Sequence, residues 1–131
     1  MDEKKFKSQV KKALRSFFVY TTHDAGRAGV PDLYACKGGL SIWLELKYSQ
    51  GGSLGHPLTP QQSHFLSEIN EHGGLGCVLI GTPEGCHLEI ITEVGKRSKF
   101  EYDFKPLEEI VDWISKYAMD FATQDSTSNT L

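Results

Sequence analysis

Long apolar runs are missing from this sequence. None approaches the roughly 20 residues that a membrane-crossing helix needs, and the Lys-rich N-terminus has no apolar centre of the signal-peptide kind. Both absences predict a soluble, intracellular protein without a membrane partner. Cysteine is scarce as well. Cys36, Cys77 and Cys86 are odd in number, show no C-x-x-C spacing and sit among strand-forming residues, which favours reduced thiols over a zinc site. No internal repeat and no Gly-rich phosphate loop is present. What remains is a chain of 131 residues, 39% hydrophobic and 24% charged, enough for one core and not for two. One domain is expected over residues 1–122. The Ser/Thr/Asn-rich stretch 123–131 has the composition of a disordered tail.

The net charge of −3 conceals an asymmetry. Residues 1–50 carry nine Lys/Arg against five acids, while the remainder carries five against twelve. A positive half suits a polyanionic partner. Much of that charge lies in residues 3–18, where Phe6, Val10, Ala13, Leu14 and Phe17 recur at helical spacing between Lys4, Lys5, Lys11, Lys12 and Arg15. This pattern predicts an amphipathic helix with a basic outer side. A β-prone piece, Phe18 to Thr21, leads into a polar loop from His23 to Gly29.

Strands are predicted at about 32–36 and 41–47, then a Gly/Ser-rich stretch over 49–56. Thr59, Pro60 and Gln62 announce a helix, with Thr59 as N-cap, Pro60 in the first helical position and Gln62 closing a capping box. Further strands are read at Cys77 to Ile80, His87 to Ile91 and Phe100 to Phe104, and a last helix from about Leu107 to Tyr117. The order predicts an α/β (α+β) domain, a mixed sheet flanked by helices.

Within this frame the segment GVPDLYACKGGLSIWLELK, residues 29–47, is unusual. Two apolar strands meet at Gly38-Gly39, yet they carry Asp32, Glu45 and Lys47. If the turn centres on the glycines, Lys37 faces Leu40, Tyr34 faces Trp43, and Asp32 faces Glu45. Alternation then puts Asp32, Tyr34, Trp43, Glu45 and Lys47 on one face, with Leu33, Ala35, Leu44 and Leu46 on the other. Directly opposed carboxylates repel. A cation must compensate, and the candidates are Lys47 and a divalent metal such as Mg²⁺, which takes hard oxygen ligands.

The residues around this pair resemble a known family. Pro31-Asp32 followed by Glu45-Leu46-Lys47 is the signature of PD-(D/E)XK nucleases, and GRAGVPDL (26–33), WLELK (43–47) and LTPQQ (58–62) resemble the VRR-NUC branch, whose small stand-alone members are often viral or phage-borne. The resemblance implies a restriction-endonuclease-like core and Mg²⁺- or Mn²⁺-dependent phosphodiester hydrolysis. It implies Asp32, Glu45 and the Leu46 backbone carbonyl as metal ligands, and Lys47 as the group that orients the attacking water and stabilises the transition state. Gln62 matches a family glutamine near the lysine, although the capping box explains it equally well. The family's first-helix acid has two counterparts here, Glu3 or Gln9.

Arg27 matches the resemblance as a phosphate contact, and Lys11, Lys12 and Arg15 offer a basic surface for DNA. His23 reads as incidental. Tyr34 and Trp43 read as packing residues, with base stacking as the lesser alternative.

Three functions compete. The first is a structure-selective DNA endonuclease, a homodimer that cuts branched DNA such as Holliday junctions. The second is a catalytically silent nucleic-acid-binding module on a nuclease fold. The third, a sequence-specific restriction enzyme, has little chain to spare for reading bases.

Overall fold

The basic amphipathic pattern at the N-terminus becomes α1 (Glu3–Ala13), which buries Phe6, Val10 and Ala13. Asp2 caps it by accepting from the Lys5 backbone N–H at 2.8 Å. The chain continues through β1 (Phe18–Thr21), β2 (Leu33–Lys37), β3 (Leu40–Tyr48), α2 (Pro60–Glu71), β4 (Leu75–Thr82), β5 (Gly85–Glu93), β6 (Lys96–Lys99) and α3 (Leu107–Ser128). This is a computed structural model, and it describes residues 1–22, 29–50, 58–93, 96–99 and 105–128.

The described strands form one sheet in the order β1-β2-β3-β4-β5-β6. Every neighbouring pair is antiparallel except β3 and β4, which run parallel. A parallel pair needs a crossover, and α2 supplies it. Its start is fixed as the sequence predicts. The Thr59 hydroxyl accepts from Gln62 N–H at 3.1 Å and the Gln62 side-chain oxygen accepts from Thr59 N–H at 3.0 Å, a closed capping box.

Two hydrophobic layers follow from strand alternation. Leu33, Ala35, Leu44, Leu46, Cys77, Leu79 and Leu88 join Phe6 and Val10 of α1 and Ile110, Ile114 and Ala118 of α3 in the main core. On the opposite face Val78, Ile80 and Ile91 pack with Leu66 of α2. All eight residues of β4 are buried, as befits a strand covered on both sides. The fold is therefore the expected α+β sheet flanked by helices.

Some boundaries differ from expectation. The first helix ends at Ala13 rather than 18, because Leu14 caps it and Phe17 returns a backbone hydrogen bond to Leu14 in a turn. Leu14 and Phe17 still reach the core, so apolar spacing runs past the helix itself. At the other end α3 continues to Ser128, well into the stretch whose composition predicts a disordered tail. Residues 107–128 contain neither Gly nor Pro, so nothing in the sequence breaks the helix there. The strand predicted at 100–104 lies outside the described residues. No described helix is long and apolar enough to cross a membrane.

Candidate active site

Gly38 and Gly39 take φ of 62° and 83°, the left-handed pair that a two-residue type I′ hairpin requires. The resulting register runs from Leu33↔Leu44 to Lys37↔Leu40, as a turn centred on these glycines predicts. Its continuation sets Asp32 opposite Glu45. β2 stops at Leu33 while β3 runs on to Tyr48, so beyond that last pair one side of β3 has lost its strand neighbour. The Asp32 carboxylate fills the gap, its Oδ2 accepting from Leu46 N–H at 2.9 Å.

The backbone around Asp32 is held from two sides. The Thr22 hydroxyl donates to the Pro31 carbonyl and lies 3.1 Å from that of Asp32, which also accepts from Thr22 N–H at 3.1 Å. Gly29 sits at φ 91° against the first turn of α2, where a Cβ would lie 2.6 Å from the Gln61 carbonyl oxygen. Only glycine combines that angle with that approach. The stretch 29–31 just before Asp32 is thus pressed onto the helix that follows the hairpin.

Glu45 is only 4% exposed, an unusual position for a carboxyl group. Burial is the largest influence on both acids and drives each toward its neutral form. In Glu45 the hydrogen bond to Asp32 and that residue's negative charge act in the same direction. Lys47 and Lys7 oppose them only in part, and the pKa rises from 4.5 to about 9. In Asp32 hydrogen bonds with Glu45, Leu46 and Lys7, together with the Lys7 charge, outweigh burial and lower the pKa below 3.8. Near neutral pH, Glu45 therefore keeps a proton and donates it to an ionised Asp32.

From α1 the residue that reaches this pair is Lys7, whose Nζ lies 3.1 Å from Asp32 Oδ1. Glu3 and Gln9, the two candidates for a first-helix acid, are exposed, and neither lines the groove beside Asp32. A search of α1 for carboxylates and amides passes over Lys7, although its place in the stripe Lys4, Lys7, Lys11 is legible in the sequence. Thr22, a plain strand-end residue, gives no such signal.

The other predicted residues are distributed as follows. Lys47 follows Glu45 by two residues on the same strand and is half-buried. Gln62 spends its side-chain oxygen on the α2 cap. Lys11 lines the groove beside Asp32, whereas Lys12 and Arg15 stand off it, with Arg15 turned back to the Lys12 carbonyl at 3.4 Å. Arg27 and His23 lie outside the described residues. Tyr34 meets Trp43 edge-on at 4.9 Å, and Trp43 meets Phe65 of α2 at 5.5 Å. That cluster is packing between sheet and helix.

Cys77 and Cys86 are buried and Cys36 is half-buried, all as free thiols. Burial pushes Cys86 up to about 11 and Cys77 higher still, which keeps both protonated. A second buried polar pair, His87 Nε2 and Glu89 Oε1 at 2.8 Å, lies on β5, with Glu89 separated from Glu45 by Val78 of β4.

Among the described residues no group of three or more His, Cys, Asp or Glu side chains is arranged for a metal ion. Two carboxylates and a strand carbonyl are nevertheless a fitting donor set for Mg²⁺ or Mn²⁺, which complete their shell with water and substrate phosphate. The N–H and C=O of one strand residue leave on the same side, so the Leu46 carbonyl faces Asp32 as its N–H does. A carboxylate pair, one member buried and one half-buried, that coexists only by holding a proton also matches a divalent cation in charge.

No protein-family model and no curated protein matches the chain. Among solved structures it is similar to Hjc, a Holliday junction resolvase from the archaeal hyperthermophile Archaeoglobus fulgidus, with a TM-score of 0.55 and 18% sequence identity. The match covers 83% of this chain and 96% of that one, so the likeness extends over nearly the whole neighbour. The shared architecture is the restriction-endonuclease-like fold.

Proposed function

We propose that this protein is a divalent-metal-dependent endodeoxyribonuclease of the VRR-NUC kind, acting as a homodimer on branched DNA in the manner of a Holliday junction resolvase. One observation carries the reading: the buried Glu45 and the half-buried Asp32, opposed at the open end of the hairpin, with Lys47 two residues along the same strand. Repelling acids are expensive to bury without a cation, and the same placement serves metal-assisted hydrolysis. The fold shared with a junction resolvase supports it.

In this mechanism Asp32, Glu45 and the Leu46 carbonyl would hold Mg²⁺ or Mn²⁺. When bound, the ion supplies Lewis acidity at the phosphate and lowers the pKa of its water. To serve as a ligand, Glu45 would release its proton to solvent. Asp32 keeps its orientation through Leu46 N–H. Lys47 places a fixed positive charge where negative charge gathers on the phosphoryl group, and it orients the attacking water. Gln62 contributes by fixing the first turn of α2, against which Gly29 rests. A two-fold dimer would present two such sites to two strands of a junction.

A second reading is a DNA-binding module without catalysis, and the Lys7–Asp32 ion pair favours it by occupying one carboxylate oxygen. Cleavage separates the two. Labelled four-way junction, flap, nicked duplex, plain duplex and single strand are incubated in Mg²⁺, Mn²⁺ and EDTA, with Asp32→Ala alongside. Junction cutting that needs metal and disappears in the variant supports the nuclease. A folded protein that binds these substrates and cuts none supports the silent module.

A further inference from the structure

Beside Asp32, between α1 and the β1–β2 edge of the sheet, lies a groove of about 300 Å³ lined by Lys4, Lys7, Ser8, Lys11, Thr21 and Thr22. Lys4, Lys7 and Lys11 follow the i, i+3, i+7 stripe of one helix face. Among the described residues Asp32 is the sole acid in the lining, and both its oxygens are engaged, Oδ1 by Lys7 and Oδ2 by Leu46 N–H. Three ammonium groups against one committed carboxylate leave the groove positive. That balance disfavours a second divalent cation and favours an anion.

We infer that this groove is a phosphate subsite: it takes the phosphodiester next to the scissile one and leads the bound strand along the Lys4–Lys7–Lys11 face of α1. The donors, ammonium groups and hydroxyls, have the chemistry of backbone recognition; among the described residues the lining holds one apolar side chain, Leu33, and no aromatic ring on which a base could stack. Lys7 links the subsite to the metal pair, because the ammonium that pairs with Asp32 also forms the groove wall. The inference rests on the nuclease reading for the identity of the strand, and it separates Lys4 and Lys11 from the equally basic Lys12 and Arg15, which lie off the groove.

The test measures binding of a fluorescent four-way junction to the full chain in EDTA, across a series of salt concentrations. The proteins are wild type, Lys4→Ala/Lys11→Ala and Lys12→Ala/Arg15→Ala. All four side chains are exposed, so both double variants keep the core and the Lys7–Asp32 pair. Each lost phosphate contact lowers the slope of log affinity against log salt by about 1. The expected result is a slope smaller by roughly 2 for the first variant and unchanged for the second. A first variant with the wild-type slope, or a second that falls as far, would overturn the subsite. Wild-type cleavage in Mg²⁺ is scored separately. A chain that cuts while neither variant changes the slope loses the subsite and keeps the nuclease; the reverse pattern loses the nuclease alone.

Discussion

At the scale of single residues, the proton shared by Glu45 and Asp32 makes stability depend on pH in a defined way. Glu45 has a folded pKa raised from 4.5 to about 9, so the fold binds that proton more tightly than the unfolded chain does. Its contribution is complete below 4.5 and is lost as pH rises toward 9. Asp32, lowered from 3.8, contributes above that value and loses its share as pH falls through the folded pKa. Thermal unfolding in EDTA should therefore show a melting temperature that declines between pH 5 and pH 9. Glu45→Gln, which keeps a neutral hydrogen-bonding side chain, should flatten that decline and abolish most of the proposed nuclease activity. The acids and Lys47 were legible because charge inside an apolar hairpin demands compensation. Lys7 and Thr22 were not, since a lysine among lysines and a threonine at a strand end look ordinary until the fold brings them to Asp32.

Elements account for why those residues meet. The hairpin register was readable because two adjacent glycines admit one tight turn and side chains alternate strictly, so locating the turn located every pair. The α2 start was readable because a capping box is purely local. Helix ends were harder. Leu14 and Phe17 continue the apolar spacing of α1 into a turn, and α3 runs on through a polar stretch. Contact between the loop before Asp32 and α2 was hidden altogether, because no local pattern tells that a glycine 32 positions from Gln61 will press on it. Gly29→Ala tests that contact. The substitution combines a left-handed φ of 91° with a 2.6 Å approach to the Gln61 carbonyl, and it should cost about 1–3 kcal/mol in urea unfolding. If the proposed nuclease reading holds, cleavage should fall further than the lost stability explains, because residues 29–31 lead directly into Asp32.

For the whole molecule, the basic half of the sequence and the acidic pair converge at one end of the sheet. α1 brings its lysines over the strand end where Asp32 and Glu45 meet, so a positive approach surrounds a site suited to a cation. The restriction-endonuclease-like sheet supplies that geometry, and Hjc shares the architecture at 18% identity, where the fold persists although most side chains differ. In the proposed nuclease the proton held between Asp32 and Glu45 stands in the place of a divalent ion. Calorimetric titration of the full chain with Mn²⁺ at pH 7, in two buffers of different ionisation enthalpy, tests it most directly. The expected result is one bound ion per chain with release of about one proton, and loss of both in Glu45→Gln. Binding without proton release and unchanged by that substitution, or no binding by the folded protein, would contradict it.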